Sequence, residues 1–185
     1  HAVLADEFTR LAHEHQVPGL VAGVTIDGRR HVFCTGLADD AQQVPATAAT
    51  LFEIGSVSKV LTATLACLAA ERAVLALDDA PSRHAPSFAG ASLDQAQLVH
   101  LGTYTAGGLP LQFPADIAPD DALAWCRAFP RASEPGTQRA YSNPSIGLLG
   151  HLVACAWQRE FAACLETELL QPLGMRRTFV RVPDE

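Results

Sequence analysis

The chain has 185 residues, 49% hydrophobic and 18% charged, which suits one domain with a sizeable core and excludes a disordered polypeptide. Its formal net charge of −7 argues against nucleic-acid or anionic-membrane partners. No apolar run reaches the roughly 18 residues of a membrane span, and His1-Ala2-Val3-Leu4 lacks the basic-then-apolar order of a signal peptide, so any export signal is expected to have been removed.

Leu4, Phe8 and Leu11 recur at helical spacing and predict an amphipathic helix over 4–15, ended by Pro18-Gly19. Leu20, Ala22, Val24 and Ile26 alternate as in a strand. Asp27-Gly28 is a hairpin turn signal, and residues 31–35 return as the second strand. Residues 36–50 are small and polar and read as a loop. A helix is expected to start near Ser56, with Val57, Val60, Leu61, Thr64, Leu65 and Leu68 as a stripe buried on most sides. Pro81, Pro86 and Gly90 mark residues 78–92 as an irregular connector, followed by a short helix over about 93–101 and a glycine-rich loop over 103–110. A short helix is predicted over 120–127 and a turn at 134–137. Pro144 suits a first helical position, with Asn143 or Ser142 as the cap. Ile146, Leu149, Leu152, Val153 and Ala156 give that helix its buried face. A last helix spans about 160–170 and ends at Pro172 and Gly174. A two-stranded hairpin is not stable alone, so further strands are expected from later in a longer chain.

Five cysteines, Cys34, Cys67, Cys126, Cys155 and Cys164, contain no Cys-x-x-Cys pair. Most lie in apolar stretches and read as buried free thiols, with one disulfide left open. The seven histidines are dispersed, and His13 and His15 point to different sides of their helix, so no metal site is expected.

The rare residues carry the chemistry. Lys59 is the sole lysine, Asn143 the sole asparagine, and Tyr104 and Tyr141 are the two tyrosines. Ser56 precedes Lys59 by three positions, so the two share one helix face. A serine hydroxyl becomes a good nucleophile only when a neighbour takes its proton, and a desolvated lysine can do so. The helix N-terminus adds N–H groups where an oxyanion could form. Tyr141 precedes Asn143 by two. A phenol beside an ammonium ionises more readily and can relay protons. Asn143 offers one acceptor and two donors, suited to an amide. The simpler readings are a Ser56 N-cap with a solvated Lys59, and a packed Tyr141 with Asn143 as its cap. The coincidence of both pairs on the only lysine and the only asparagine weighs against them. No G-x-S-x-G elbow supports a Ser/His/Asp triad.

Phe52-Glu53-Ile54-Gly55-Ser56-Val57-Ser58-Lys59 resembles the nucleophile segment of class C β-lactamases and their relatives among penicillin-binding proteins and esterases. Tyr141-Ser142-Asn143 resembles their Y-x-N element, and residues 103–112 (Thr-Tyr-Thr-Ala-Gly-Gly-Leu-Pro-Leu-Gln) are similar to a stretch typical of class C enzymes. Pro135-Gly136-Thr137, Ile146-Gly147-Leu148-Leu149-Gly150 and Gln171-Pro172-Leu173-Gly174-Met175 match the wider family, so the resemblance runs along essentially the whole chain. It implies an α/β (α+β) β-lactamase/transpeptidase-like fold, with helices packed on a mainly antiparallel sheet. The nucleophile start would occupy 1–59, a helical region 60–155, and a return helix 156–185. It implies acylation of Ser56, general-base work shared by Lys59 and Tyr141, and a substrate amide held by Asn143 and Gln112. A periplasmic, cofactor-free, monomeric enzyme of antibiotic resistance acting on small β-lactams is expected. Of the same scaffold, a D-alanyl-D-alanine carboxypeptidase or an esterase remains open. So do a non-catalytic penicillin-binding module and a metal-assisted relative. The family's Lys-Thr-Gly motif and second oxyanion donor have no counterpart in these residues. The chain alone is therefore expected to be weakly active or inactive unless a C-terminal segment completes it in cis or in trans.

Overall fold

The computed structural model describes residues 2–183. The chain divides into two compact units between Glu53 and Ile54.

In the first unit, helix α1 (Ala2–Glu14) precedes strands β1 (Gly19–Ile26), β2 (Arg29–Asp39) and β3 (Val44–Pro45), which form an antiparallel sheet in the order β1-β2-β3. Asp27 and Gly28 both take positive φ, 49° and 75°, which matches the twist of the two-residue hairpin closing at Ile26↔Arg29. Gly19 pairs with Gly36 because a Cβ on either would lie 2.1 Å from a carbonyl oxygen. The α1 ring Phe8 packs on Phe33 of β2 with centroids 5.6 Å apart, and Ala12, Phe33 and Ala46 are buried.

Alternation predicts a second strand over 31–35 and a loop over 36–50. The strand instead runs to Asp39 and β3 pairs with it, because Gly36 lets the chain pass close to Pro18 while Thr35, Leu37 and Asp39 keep the inward alternation of Phe33.

In the second unit, a 3₁₀ turn (Gly55–Val57) leads into α2 (Ser58–Glu71). Short 3₁₀ turns at Pro81, Pro86 and Ser92 then lead to α3 (Leu98–Gly102), α4 (Ala122–Ala128), α5 (Asn143–Trp157) and α6 (Phe161–Cys164). A π-helical segment, Leu165–Leu170, continues α6. The core gathers around α5, whose Ile146, Leu148, Leu149, Leu152 and Val153 are buried with Leu65, Leu98, Leu101 and Phe88. Gly150 permits this closeness: a Cβ there would sit 3.1 Å from Phe161 and 3.4 Å from Thr62.

The expected stripe on α2 is displaced. Val57 and Val60 are 62% and 63% exposed, while Leu65, Ala66 and Ala69 are buried. Leu65, Ala66 and Ala69 join the core, and Thr62 lies beside Gly150 of α5. Ala156 is half-buried. Among the cysteines only Cys126 and Cys164 are buried. Cys34 and Cys67 are exposed, Cys155 is intermediate, and all five are free thiols. Among the described residues, no helix is long and apolar enough to cross a membrane.

Candidate active site

The site residues all lie in the second unit. Ser56 occupies the 3₁₀ turn that opens α2, two residues before the first residue of the α-helix proper. The turn sets Ser56 and Lys59 on one face, and the Lys59 amine donates to Ser56 Oγ at 3.2 Å. Ser58 points elsewhere, its hydroxyl donating to the Gly55 carbonyl at 2.6 Å. Lys59 is half-buried, so its amine is aimed at the hydroxyl and is not a freely solvated head.

Tyr141 lies at the entry to α5. Lys59 Nζ stands 5.2 Å from the centre of its ring. Hydrogen bonding from Ser56, then from Lys59, holds its phenol below the ordinary value of 10.0, and the charges of Lys59 and Arg139 act in the same direction. A hydroxyl, an amine and a phenol therefore converge, which is the set needed to move a proton off Ser56 and return it elsewhere.

Ser142 caps α5: its Oγ accepts from Ser145 N–H at 3.1 Å and it is fully buried. Asn143 is thereby free of capping. Its side-chain amide donates to Gln112 Oε1 at 2.9 Å, while its Oδ1 is buried and has no hydrogen-bond partner. Its backbone N–H donates to the Leu111 carbonyl at 3.0 Å, which ties the strip carrying Gln112 to the helix start. The pair leaves the Gln112 amide donors for a ligand, while Asn143 Oδ1 stays buried. A cavity of about 910 Å³ begins at Lys59 and Asn143 and follows the α2–α5 groove to His151 and Phe161.

The glycine-rich loop needs its glycines. Gly107 has φ 110°, and a Cβ there would lie 2.8 Å from the Arg131 stem and 2.9 Å from the Ser133 carbonyl. Arg131 holds that contact by donating to Ser92 Oγ and to Gln95 Oε1.

Ser56, Lys59, Tyr141, Asn143 and Gln112 are thus brought together as two adjoining clusters. Sequence reasoning passed over Tyr104 and Arg139 as individual residues. The Tyr104 ring packs on that of Tyr141 with centroids 5.0 Å apart, and Arg139 lies over Tyr104 at 5.3 Å. No local spacing announces this contact, since 37 positions separate the two tyrosines. Among the described residues, no group of three or more His, Cys, Asp or Glu gathers as metal ligands would.

Comparison with known proteins gives the family. The Beta-lactamase family model matches residues 4–185. A beta-lactamase of Pseudomonas fluorescens is 43% identical over 175 residues, covering 94% of this chain and 49% of its own length. A beta-lactamase of Escherichia coli (strain K12) is 38% identical, covering 95% of this chain and 47% of its own length. The crystal structure of a class C beta lactamase from Rhodobacter sphaeroides superposes with a TM-score of 0.86 at 44% identity, over 98% of this chain and 51% of that one. The chain belongs to the beta-lactamase family and has the fold of its class C members over the part matched. It spans about half the length of the curated relatives it matches.

Proposed function

We propose that the protein is a serine β-lactamase of the class C, cephalosporin-opening kind, working through an acyl-enzyme on Ser56. The observation that carries this is the Lys59 amine 3.2 Å from Ser56 Oγ, with the Tyr141 phenol against both.

The Ser56 hydroxyl gives its proton to the Tyr141 phenolate, which Lys59 holds in place, as Oγ bonds to the ring carbonyl carbon. The resulting oxyanion faces the Ser56 backbone N–H at the start of α2. Collapse breaks the ring C–N bond, and Tyr141 returns the proton to the nitrogen. Water then attacks the ester, passes its proton through Tyr141 and Lys59 to Ser56 Oγ, and releases the ring-opened acid. The Asn143 and Gln112 side-chain amides hold the substrate's side-chain amide. Within this reading residues 1–59 supply the N-terminal helix, the hairpin and the start of the nucleophile helix, 60–155 a helical region with Tyr141, and 156–185 a return helix. The enzyme acts as a periplasmic monomer in antibiotic resistance, without metal or cofactor.

The test compares nitrocefin, p-nitrophenyl acetate and a D-alanyl-D-alanine peptide as substrates of the full-length protein. Nitrocefin is expected to be turned over fastest, and Ser56→Ala to abolish turnover. Preference for the ester or the peptide would move the assignment to an esterase or a carboxypeptidase.

A further inference from the structure

Tyr141 is held by a second set of contacts that the proposed proton transfers do not use. Its ring meets Tyr104 at 5.0 Å and an interplanar angle of 52°, and the Arg139 guanidinium covers Tyr104 at 5.3 Å. The same tyrosine grips the backbone beside the phenol, its carbonyl accepting from Ala140 N–H at 2.9 Å. Tyr104 itself sits at φ 63°, a left-handed conformation that a bulky non-glycine residue adopts only when its surroundings impose it. A glycine would fit that backbone more easily.

We propose that Tyr104, with Arg139 seated on its ring, is a positioning residue for Tyr141: it fixes the phenol on Ser56 and Lys59, and Arg139 supplies part of the positive field there. This rests on the acyl-transfer reading above. The Lys59 amine lies over the Tyr141 ring, and the Arg139 guanidinium lies one ring removed, over Tyr104. With the Ser56 hydroxyl, these are the groups among the described residues that pull its ionisation down. Lys59 is needed for the chemistry, whereas Arg139 reaches no reacting atom in this account, so its charge can be changed without removing a proton carrier.

The experiment uses the full-length protein labelled with ¹³Cζ-tyrosine, with Tyr141 assigned by its loss in Tyr141→Phe. Arg139→Gln is expected to raise the Tyr141 pKa by about half a pH unit at low salt. The ascending limb of the kcat/KM profile should move up in pH by the same amount, and Arg139→Lys should restore both. Tyr104→Gly keeps the left-handed backbone and deletes the ring. It is expected to lower kcat about tenfold with KM within about twofold, and Tyr104→Phe to restore it. Unchanged pKa, pH limb and kcat in Arg139→Gln and Tyr104→Gly would overturn the proposal. If the unaltered protein opens no β-lactam, the acyl-transfer reading fails, yet the tyrosine titration still decides whether Arg139 and Tyr104 govern Tyr141.

Discussion

At the scale of single residues, the account turns on where one proton goes. Lys59→Ala or Tyr141→Phe is expected to lower the acylation rate by about 10²–10⁴, measured by single-turnover mixing. The pH dependence has a definite sign. Tyr141 is an acid whose pKa is lowered by Ser56 and Lys59, so the phenolate forms at lower pH than in free tyrosine. Acylation by phenolate therefore rises with pH along a limb below 10.0, and Lys59→Ala should push whatever limb remains upward. The Ser56–Lys59 and Tyr141–Asn143 pairs were legible in sequence because each relation is local: three residues on one helical face, two residues at a helix entry. Asn143 as a cap was one of two options, and Ser142 took that place, releasing the Asn143 amide for Gln112. Tyr104 against Tyr141 could not be read, since nothing local links a loop residue to a helix start 37 positions later.

At the scale of elements, the site depends on how α5 starts and how the glycine-rich loop is pinned. Ser142→Ala removes the cap of α5 and should cost about 1 kcal/mol, read as a lower Tm, with a further loss of turnover because Tyr141 and Asn143 flank it. Gly107→Ala forces a Cβ into the Arg131 stem and the Ser133 carbonyl at an unfavourable φ. It is expected to destabilise by about 2 kcal/mol or more and to weaken substrate binding through Gln112, visible as raised KM. The position of α2 was legible in sequence, but its rotation was not. A periodic stripe says that one side is apolar, not which partner that side meets. Val57 and Val60 fit the stripe yet stay exposed, while Leu65, Ala66 and Ala69 turn inward. The third strand escaped for a related reason: its two residues carry no alternation of their own and are defined by pairing to Leu37 and Asp39.

At the scale of the whole molecule, one charged cluster joins distant parts of the second unit. Glu168 in the π-helical segment bridges Arg72 after α2 and Arg159 after α5. Hydrogen bonds from Arg159 and then Arg72 hold its carboxyl below the ordinary 4.5. A depressed carboxylate pKa contributes stability that is present above the unfolded value and lost as pH falls through the folded one. Thermal melts between pH 6 and pH 3 should therefore show a steeper loss for the unaltered protein than for Glu168→Gln, while at neutral pH the variant is the less stable. Fold class and family were legible across the chain because the motifs occur in order along nearly all of it. The division at Glu53 was not, since no linker-like composition marks it.

The central claim is that Ser56 becomes acylated because an amine and a phenol share its proton. Its most direct test is rapid-quench mass spectrometry of the full-length protein mixed with a penicillin, followed by peptide mapping. A transient gain of one whole penicillin is expected on the peptide containing Ser56, absent in Ser56→Ala and decaying as product accumulates. No adduct, an adduct on another residue, or one that never decays would contradict it.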